Sequence, residues 1–201
     1  MQKKNTKIYP FPPISNTHIP SQDECVFLWN NYNMMEHIKE HSLMVAKVAL
    51  YIGNRLNENG LNVNIPLIQA TALLHDIAKT YTIKYGGYHT QLGAVWMLDY
   101  TKNHAIAQGI LHHVYWPGPL DIKKYWLPMI IVYADKRVNH NQVVTLEERL
   151  EYILNRYGKT YERMQHILYS FKQARCLEEL FGEILQEDLN ESSFDSRGLV
   201  K

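Results

Sequence analysis

Apolar residues recur along most of the chain at intervals of three, four and seven, which is the spacing of one face of an α-helix. The longest such pattern predicts a helix that begins with an Asn33 capping box and ends near Gly60. His41 lies on the apolar stripe of this helix, so its side chain is predicted to point inward. No segment alternates apolar and polar residues over any length, and no internal repeat is visible. The pattern therefore predicts an all-α, single-domain helical bundle.

Start signals divide the rest of the chain into further helices. Ser21 and Thr145 each begin a capping-box pattern with glutamate three residues later, and Pro66 suits the first turn of a helix that reaches His75. The predicted helices cover residues 21–32, 33–60, 66–75, 89–100, 103–113, 127–138, 145–154 and 164–184, the last of these as one helix or two.

Three regions follow from these patterns. Residues 1–20 contain four prolines, so they are predicted to form an extended N-terminal arm. Residues 21–186 form the helical domain, with a motif core at 34–139 and C-terminal helices at 145–186, and residues 187–201 are a polar tail. The C-terminal helices would either close the core or form a dimer contact, so the oligomeric state is left open.

Composition excludes several classes of partner. The chain has 201 residues, is 46% hydrophobic and 20% charged, and carries a formal net charge of +1, which is ordinary for a globular protein. It lacks the basic surface that binding to an extended nucleic acid needs, and it has no apolar run long enough to cross a membrane. Cys25 and Cys176 lie far apart, so reduced thiols and a cytoplasmic location are predicted.

Histidine and aspartate residues on four predicted helices point to a metal site between helices, as helical bundles build them. These residues are His41, the His75-Asp76 pair, the His112-His113 pair and Asp135. Imidazole and carboxylate ligands without cysteine favour a divalent ion such as iron or manganese, with zinc, cobalt and nickel also open. Magnesium prefers oxygen ligands and retained water, so it fits less well.

The same residues carry a resemblance to a known family. His41, the dipeptide in "LLHDIAK" and Asp135 in "YADKR" stand in the order found in the HD-domain metal-dependent phosphohydrolases. The segments "HSLMVAKVA", "HTQLGA" and "HH" also match in kind, over residues 34–139. The resemblance implies an all-α HD-type fold and hydrolysis of a small phosphate ester or anhydride, with a nucleotide favoured, by a metal-bound hydroxide.

The resemblance also implies a ligand set for two metal ions, because members with two metals have additional histidines between the dipeptide and the final aspartate. A carboxylate that bridges two cations holds them within about 4 Å, where both can act on one phosphate. By this reading the first ion is held by His41, His75, Asp76 and Asp135, and Asp76 bridges to a second ion held by His89 and His112, with His113 as a further candidate.

Two cationic residues are assigned to the substrate. Lys79 lies four residues after His75 and would place an ammonium group beside a bound phosphate, so it is predicted to act in catalysis with Asp76 and in substrate binding. Lys136 and Arg137 flank Asp135, and Arg137 is predicted to bind the substrate.

Other features of the motif region narrow the substrate and leave alternatives open. "WPGPL" replaces the Gly-Tyr-Pro element of related cyclic-dinucleotide phosphodiesterases, which argues against cyclic di-GMP as the substrate. Tyr115 and Trp116 would either stack on a nucleobase or pack their own loop. The alternatives to an enzyme are a noncatalytic sensor of metal and nucleotide, whose helices after Thr145 contact a protein, and a domain that its metal only stabilises.

Overall fold

A computed structural model describes residues 17–190 of the chain, and these residues form nine helices and one short hairpin. The helices are α1 (Gln22–Asn31), α2 (Glu36–Glu58), α3 (Ile65–Leu74), α4 (Lys79–Tyr85), α5 (His89–Thr101), α6 (His104–His112), α7 (Ile122–Lys136), α8 (Leu146–Tyr157) and α9 (Tyr161–Leu185). Strands β1 (Val138–Asn139) and β2 (Gln142–Val143) pair antiparallel between α7 and α8. The prediction of an all-α fold is confirmed, and the two-residue strands are too short for a period-two pattern to detect.

Helices α2, α3 and α7 form the centre of the molecule, where α2 packs against both of the others. The apolar stripe of α2 is buried, with Val45, Val48 and Ile52 fully inaccessible. The helix pair α5–α6 packs on this centre through α6, and the pair α8–α9 packs on it through α7. Burial of each large aliphatic side chain stabilises a fold by about 1.5–3 kcal/mol, so this continuous core fixes the positions of the helix ends around it.

Helix starts follow local signals at two positions and not at a third. Ser21 and Thr145 each cap a helix with both bonds of the capping box, as predicted. The predicted start at Asn33 is wrong, because α2 begins at Glu36 and Asn33 has a positive φ of 50° in the turn after α1. Asparagine tolerates this left-handed conformation, and the N–H of Met35 instead bonds the Thr80 hydroxyl at 2.9 Å.

Helix α7 is longer than its sequence pattern indicated. Its first turn is kinked at Tyr125, which has non-helical dihedral angles, and Pro128 lies three residues further on. Proline removes a backbone donor from the helix, and the kink at Tyr125 separates the first residues of α7 from the buried part that begins at Leu127. From Leu127 onward α7 is buried, and this part leads to Asp135.

Residues at both ends of the described range lie against the domain. The chain after α9 bends back, so that Leu189 is buried and Glu187 accepts a hydrogen bond from the Tyr51 hydroxyl at 2.6 Å. Residues 187–190 belong to the predicted polar tail and lie against the domain. Residues 1–16 of the predicted arm and residues 191–201 lie outside the described residues. Within 17–190, no helix is both long enough and apolar enough to cross a membrane.

Candidate metal centre

Six potential ligands meet where five helices end or pass through the core. His41 comes from the second turn of α2 and Asp135 from the last turn of α7, while His89 is the first residue of α5. The His75-Asp76 pair lies in the turn between α3 and α4, and His113 directly follows α6. All of them are buried except His89, whose side chain is 27% exposed.

One group of ligand atoms surrounds Asp135. Its Oδ1 lies 3.1 Å from Nε2 of His41 and 3.7 Å from Nε2 of His75. Nε2 of His75 is also 3.5 Å from Oδ2 of Asp76. The ligand atoms of His41, His75 and Asp135 all lie within 4.8 Å of one another, so they are close enough to bind one metal ion in common.

A second group lies on the other side of the Asp76 carboxylate. Its Oδ1 is 3.4 Å from Nε2 of His89 and 3.6 Å from Nε2 of His113. The two histidine nitrogens are 3.3 Å apart. Oδ2 of Asp76 therefore faces His75 and Oδ1 faces His89 and His113, an arrangement that suits a bridging carboxylate.

The backbone fixes the tautomer of three of these histidines. In each of them the Nδ1–H donates to a carbonyl oxygen, which can only accept, so the neutral ring has its lone pair on Nε2. These bonds join His41 to His140 (3.0 Å), His75 to Ala72 (2.7 Å) and His113 to Ile110 (2.8 Å). Metal-binding histidines show the same pattern, because the second hydrogen bond orients the ring and sets its basicity.

The polar atoms at the centre of the cluster fit a cation. Nε2 of His75 and Oδ1 of Asp76 are buried and make no hydrogen bond to any described residue. An unsatisfied buried polar group costs about 1–3 kcal/mol, and the Nε2 lone pair of neutral His75 repels the carboxylate oxygens of Asp76 and Asp135 that lie 3.5 and 3.7 Å from it. A divalent ion would accept both lone pairs, so these residues are suited to hold one.

The protonation states agree with this role. Burial would raise the pKa of the Asp76 carboxyl, but the charge of the Lys79 ammonium group leads the effects that outweigh burial and hold that pKa well below its usual range. Burial lowers the pKa of His89 to about 3, so its imidazole is neutral near physiological pH. Charged carboxylates and neutral imidazoles are the forms that bind metal ions.

The structure does not bring His112 to the cluster, which corrects its assignment as a ligand. Its ring packs edge-on against Trp116, with the ring centres 5.2 Å apart. Adjacent helical residues point about 100° apart, so only one member of the His112-His113 pair can face the core at the end of α6. That member is His113, which is 2% exposed.

Arg137 does not face the site either, which corrects its assignment to the substrate. The buried guanidinium group donates to the Val144 carbonyl (2.8 Å), the Tyr133 hydroxyl (2.6 Å), the Glu178 carboxylate (3.0 Å) and the Leu189 carbonyl. These bonds fasten the end of α7 to α9 and to the chain that follows α9. Arg137 lines neither of the two cavities beside the cluster.

Two lysines contact the carboxylates instead. Nζ of Lys79 lies 2.6 Å from Oδ2 of Asp76, although the chain turns after α3 and Lys79 begins a new helix. Nζ of Lys136 lies 2.9 Å from Oδ2 of Asp135, so Lys136 is the member of the Lys136-Arg137 pair that faces the site.

A cavity of about 960 Å³ opens beside the cluster, between α4, the end of α6, α8 and α9. His113, Asp135 and Lys136 line one part of it, and the opposite part is apolar, with Ile167 and Phe171 of α9. A smaller cavity of about 110 Å³ adjoins the His41 side of the cluster. The two cavities share Lys79, Ile83, Arg149, Ile153 and Tyr157.

Sequence reasoning missed Arg149 of α8, which lines both cavities and is 8% exposed. No motif marks this residue. The available signal was its place on the apolar stripe, three residues after Leu146 and four before Ile153. Tyr115 lines the large cavity, while Trp116 is buried and packs its own loop through a bond from Nε1 to the Pro119 carbonyl.

The family model for the HD domain matches residues 38–153, which is more than half of the chain. This chain therefore belongs to the HD domain family, and the resemblance seen in the sequence is confirmed. The family places the chain in the superfamily of metal-dependent phosphohydrolases.

Curated relatives support the same membership. The chain is 27% identical over 137 residues to ribonuclease Y of Dehalococcoides mccartyi, an alignment that covers 68% of this chain and 23% of that protein. It is 26% identical over 137 residues to ribonuclease Y of Syntrophomonas wolfei, in an alignment that covers 68% of this chain and 24% of that protein. It is 24% identical over 149 residues to the uncharacterized protein MJ0778 of Methanocaldococcus jannaschii, in an alignment that covers 66% of this chain and 85% of that protein. The chain thus spans about a quarter of the length of the ribonuclease Y proteins, and no solved structure matches it.

Proposed function

We propose that this protein hydrolyses a phosphate ester or anhydride in a small nucleotide, at a centre of two divalent metal ions. The observation that carries the proposal is the Asp76 carboxylate, whose Oδ2 faces His75 and whose Oδ1 faces His89 and His113. His41, His75, Asp135 and Oδ2 of Asp76 would hold one ion, and His89, His113 and Oδ1 of Asp76 would hold the other. Iron and manganese suit these mixed nitrogen and oxygen ligands best; zinc, cobalt and nickel come next and magnesium last.

Divalent ions at such a site activate water near neutral pH and neutralise charge on phosphoryl oxygens. Asp76 holds the ligand geometry together, because it is fully buried between the two histidine sets. Lys79 lies at the border of both cavities and uses one donor on Asp76. An ammonium group has three donors, so Lys79 can also bond a phosphoryl oxygen of the substrate. Lys136 occupies the corresponding position at Asp135.

The large cavity supports a nucleotide as the substrate. Its volume of about 960 Å³ falls in the range of sites that enclose small molecules of this size. The cationic and metal-binding side chains lie at one part of the wall, and Tyr115, Tyr169 and Phe171 offer aromatic surface elsewhere. Aromatic faces bind nucleobases by stacking, so the cavity suits a molecule with a phosphate at one end and a base at the other.

A noncatalytic sensor is the second candidate, and the surface of α9 favours it. Tyr161, Leu168 and Tyr169 are large apolar or aromatic side chains that are 72%, 41% and 54% exposed. An exposed patch of this kind can bind a protein partner. In that case metal and nucleotide would bind at the same centre, but the nucleotide would leave unchanged.

Turnover separates the two candidates. Protein purified anaerobically with iron and manganese would be incubated with mononucleotides, dinucleoside polyphosphates and a short oligoribonucleotide, the last because two relatives are ribonuclease Y. We expect products from a mononucleotide or a dinucleoside polyphosphate, and loss of activity in Asp76→Ala. His112→Ala is the matched control, because this histidine lies outside the cluster. A wild-type protein that carries metal but converts no substrate would favour the noncatalytic sensor. Preferred cleavage of the oligoribonucleotide would refute the proposal that the substrate is a small nucleotide.

A further inference from the structure

Arg149 is a buried cation in the wall shared by the two cavities. It lies on the inward face of α8, and its residue surface is 8% exposed. Lys79 and Asp76 line the small cavity with it, and Lys79, Asp135 and Lys136 line the large one with it. The guanidinium group therefore lies beside the space where the proposed substrate phosphate would bind.

The contacts of Arg149 leave its charge without an anionic partner. Its Nη1 donates to Oδ1 of the neutral Asn139 at 2.8 Å, and its guanidinium carbon lies 5.5 Å from the centre of the Tyr152 ring. Its Nε is buried and has no hydrogen-bond partner among the described residues. Within 17–190, no carboxylate forms an ion pair with Arg149. A buried charge of this kind is costly unless an anion compensates it.

The two lysines of the site differ from Arg149 in this respect. Lys79 pairs with Asp76 at 2.6 Å, and Lys136 pairs with Asp135 at 2.9 Å. Both lysines are therefore already neutralised by the metal-binding carboxylates. Arg149 is the cation of the shared wall whose compensating anion has to come from a ligand.

We propose that Arg149 binds the phosphate of the substrate and selects a terminal phosphate that carries two negative charges. The planar guanidinium group presents donors in a fork that matches two phosphate oxygens, and its full charge interacts more strongly with a dianion than with a monoanionic diester. The substrate class is then a phosphomonoester or a terminal phosphoanhydride. This inference rests on the proposed function, because it takes the cavities beside the cluster as the substrate site.

Binding of inorganic phosphate tests the inference without turnover. Calorimetric titration of the metal-loaded full-length protein would compare wild type with Arg149→Met, which removes the charge and keeps an extended side chain. Arg149→Lys keeps the positive charge but loses the planar pair of donors that matches two phosphate oxygens. Arg175→Met is the matched control, since Arg175 pairs with Glu147 on the surface and lines neither cavity.

We expect phosphate binding to weaken by about tenfold or more in Arg149→Met and by a smaller factor in Arg149→Lys, with bound metal unchanged in both. Arg175→Met should bind phosphate as wild type does. With a dianionic mononucleotide, Arg149→Lys should raise KM more than it lowers kcat, and it should raise KM less with a diester. If Arg149→Met does not fold, Arg149→Lys alone decides by the same measurements.

The outcomes separate this inference from the proposed function. If wild type turns over nucleotides but the Arg149 variants bind phosphate as wild type does, the proposed role of Arg149 is refuted and the proposed hydrolase function is kept. If wild type turns over no nucleotide but the Arg149 variants lose phosphate binding, the role of Arg149 in binding phosphate is kept and the hydrolase function is refuted.

Discussion

Replacing Arg137 by methionine tests whether this residue is a structural anchor or a substrate ligand. Methionine fills a similar length of the pocket but removes every donor of the guanidinium group. The Glu178 carboxylate and the Leu189 carbonyl then lose a charged donor at the junction of α7, α9 and the chain after α9. The structure therefore predicts a loss of stability and no direct effect on the substrate.

The magnitude follows from the burial of the pair. Breaking a buried ion pair by removing one partner costs about 3–5 kcal/mol. The Arg137 side chain is 2% exposed and that of Glu178 is 17% exposed, so water can partly solvate the remaining carboxylate. We expect a loss at the lower end, about 3 kcal/mol, which corresponds to a fall in Tm of about 6–12 °C for a domain of this size.

The loss of stability in Arg137→Met should also depend on pH. Burial raises the pKa of Glu178, while the charge of Arg137 opposes that shift, so Arg137→Met should raise the pKa of Glu178 further. A carboxyl group whose pKa is raised by folding destabilises the fold where it is ionised, and this penalty disappears as the pH falls below its folded pKa. The gap in unfolding free energy between wild type and variant should therefore narrow from neutral pH toward the acidic range.

Urea denaturation followed by circular dichroism measures the free energy of unfolding of both proteins. Phosphate release measures their activity without urea, at a temperature where both proteins are folded. Arg175→Met is the control, because exposed ion pairs contribute only about 0–1 kcal/mol. An Arg137→Met protein of wild-type stability with a much higher KM would refute the reasoning and restore Arg137 as a substrate ligand.

Three further predictions concern stability and the thiols. Gly109→Ala should lower the free energy of unfolding, measured by urea denaturation, by about 1–3 kcal/mol, because a Cβ atom there would lie 2.4 Å from Cγ2 of Thr71. A variant as stable as wild type would show that α6 and α3 can move apart without loss of stability. Thr145→Ala should cost about 1 kcal/mol by removing the cap of α8, whereas Thr145→Ser should keep most of it. Burial raises the pKa of Cys25 to about 12, so a thiol reagent at neutral pH should label Cys176 alone in the folded protein; mass spectrometry that finds both labelled would contradict this.

Local signals in the sequence were sufficient for most of the helices. The apolar stripe of α2 and the capping boxes at Ser21 and Thr145 depend on residues within one or two turns of each other, so the sequence alone reveals them. The start at Asn33 could not be predicted, because Met35 finds its hydrogen-bond acceptor in Thr80, far along the chain.

The order of motif residues indicated the metal centre, but tertiary packing decided which neighbours face it. His112 and His113 are chemically identical, and only the docking of α6 against the core distinguishes them. Arg149 carries no motif, and its place in the wall of both cavities appears only when α8 packs against α7 and α9.

Metal content tests the central claim most directly, since the claim is that one aspartate bridges two histidine sets. Elemental analysis of anaerobically purified, desalted protein would compare wild type with His113→Ala and with its sequence neighbour His112→Ala. We expect two divalent ions per chain in wild type and in His112→Ala, and one in His113→Ala, because His113 lies 3.6 Å from Oδ1 of Asp76 while His112 packs against Trp116. One ion per wild-type chain, or loss of metal in His112→Ala with retention in His113→Ala, would contradict the account.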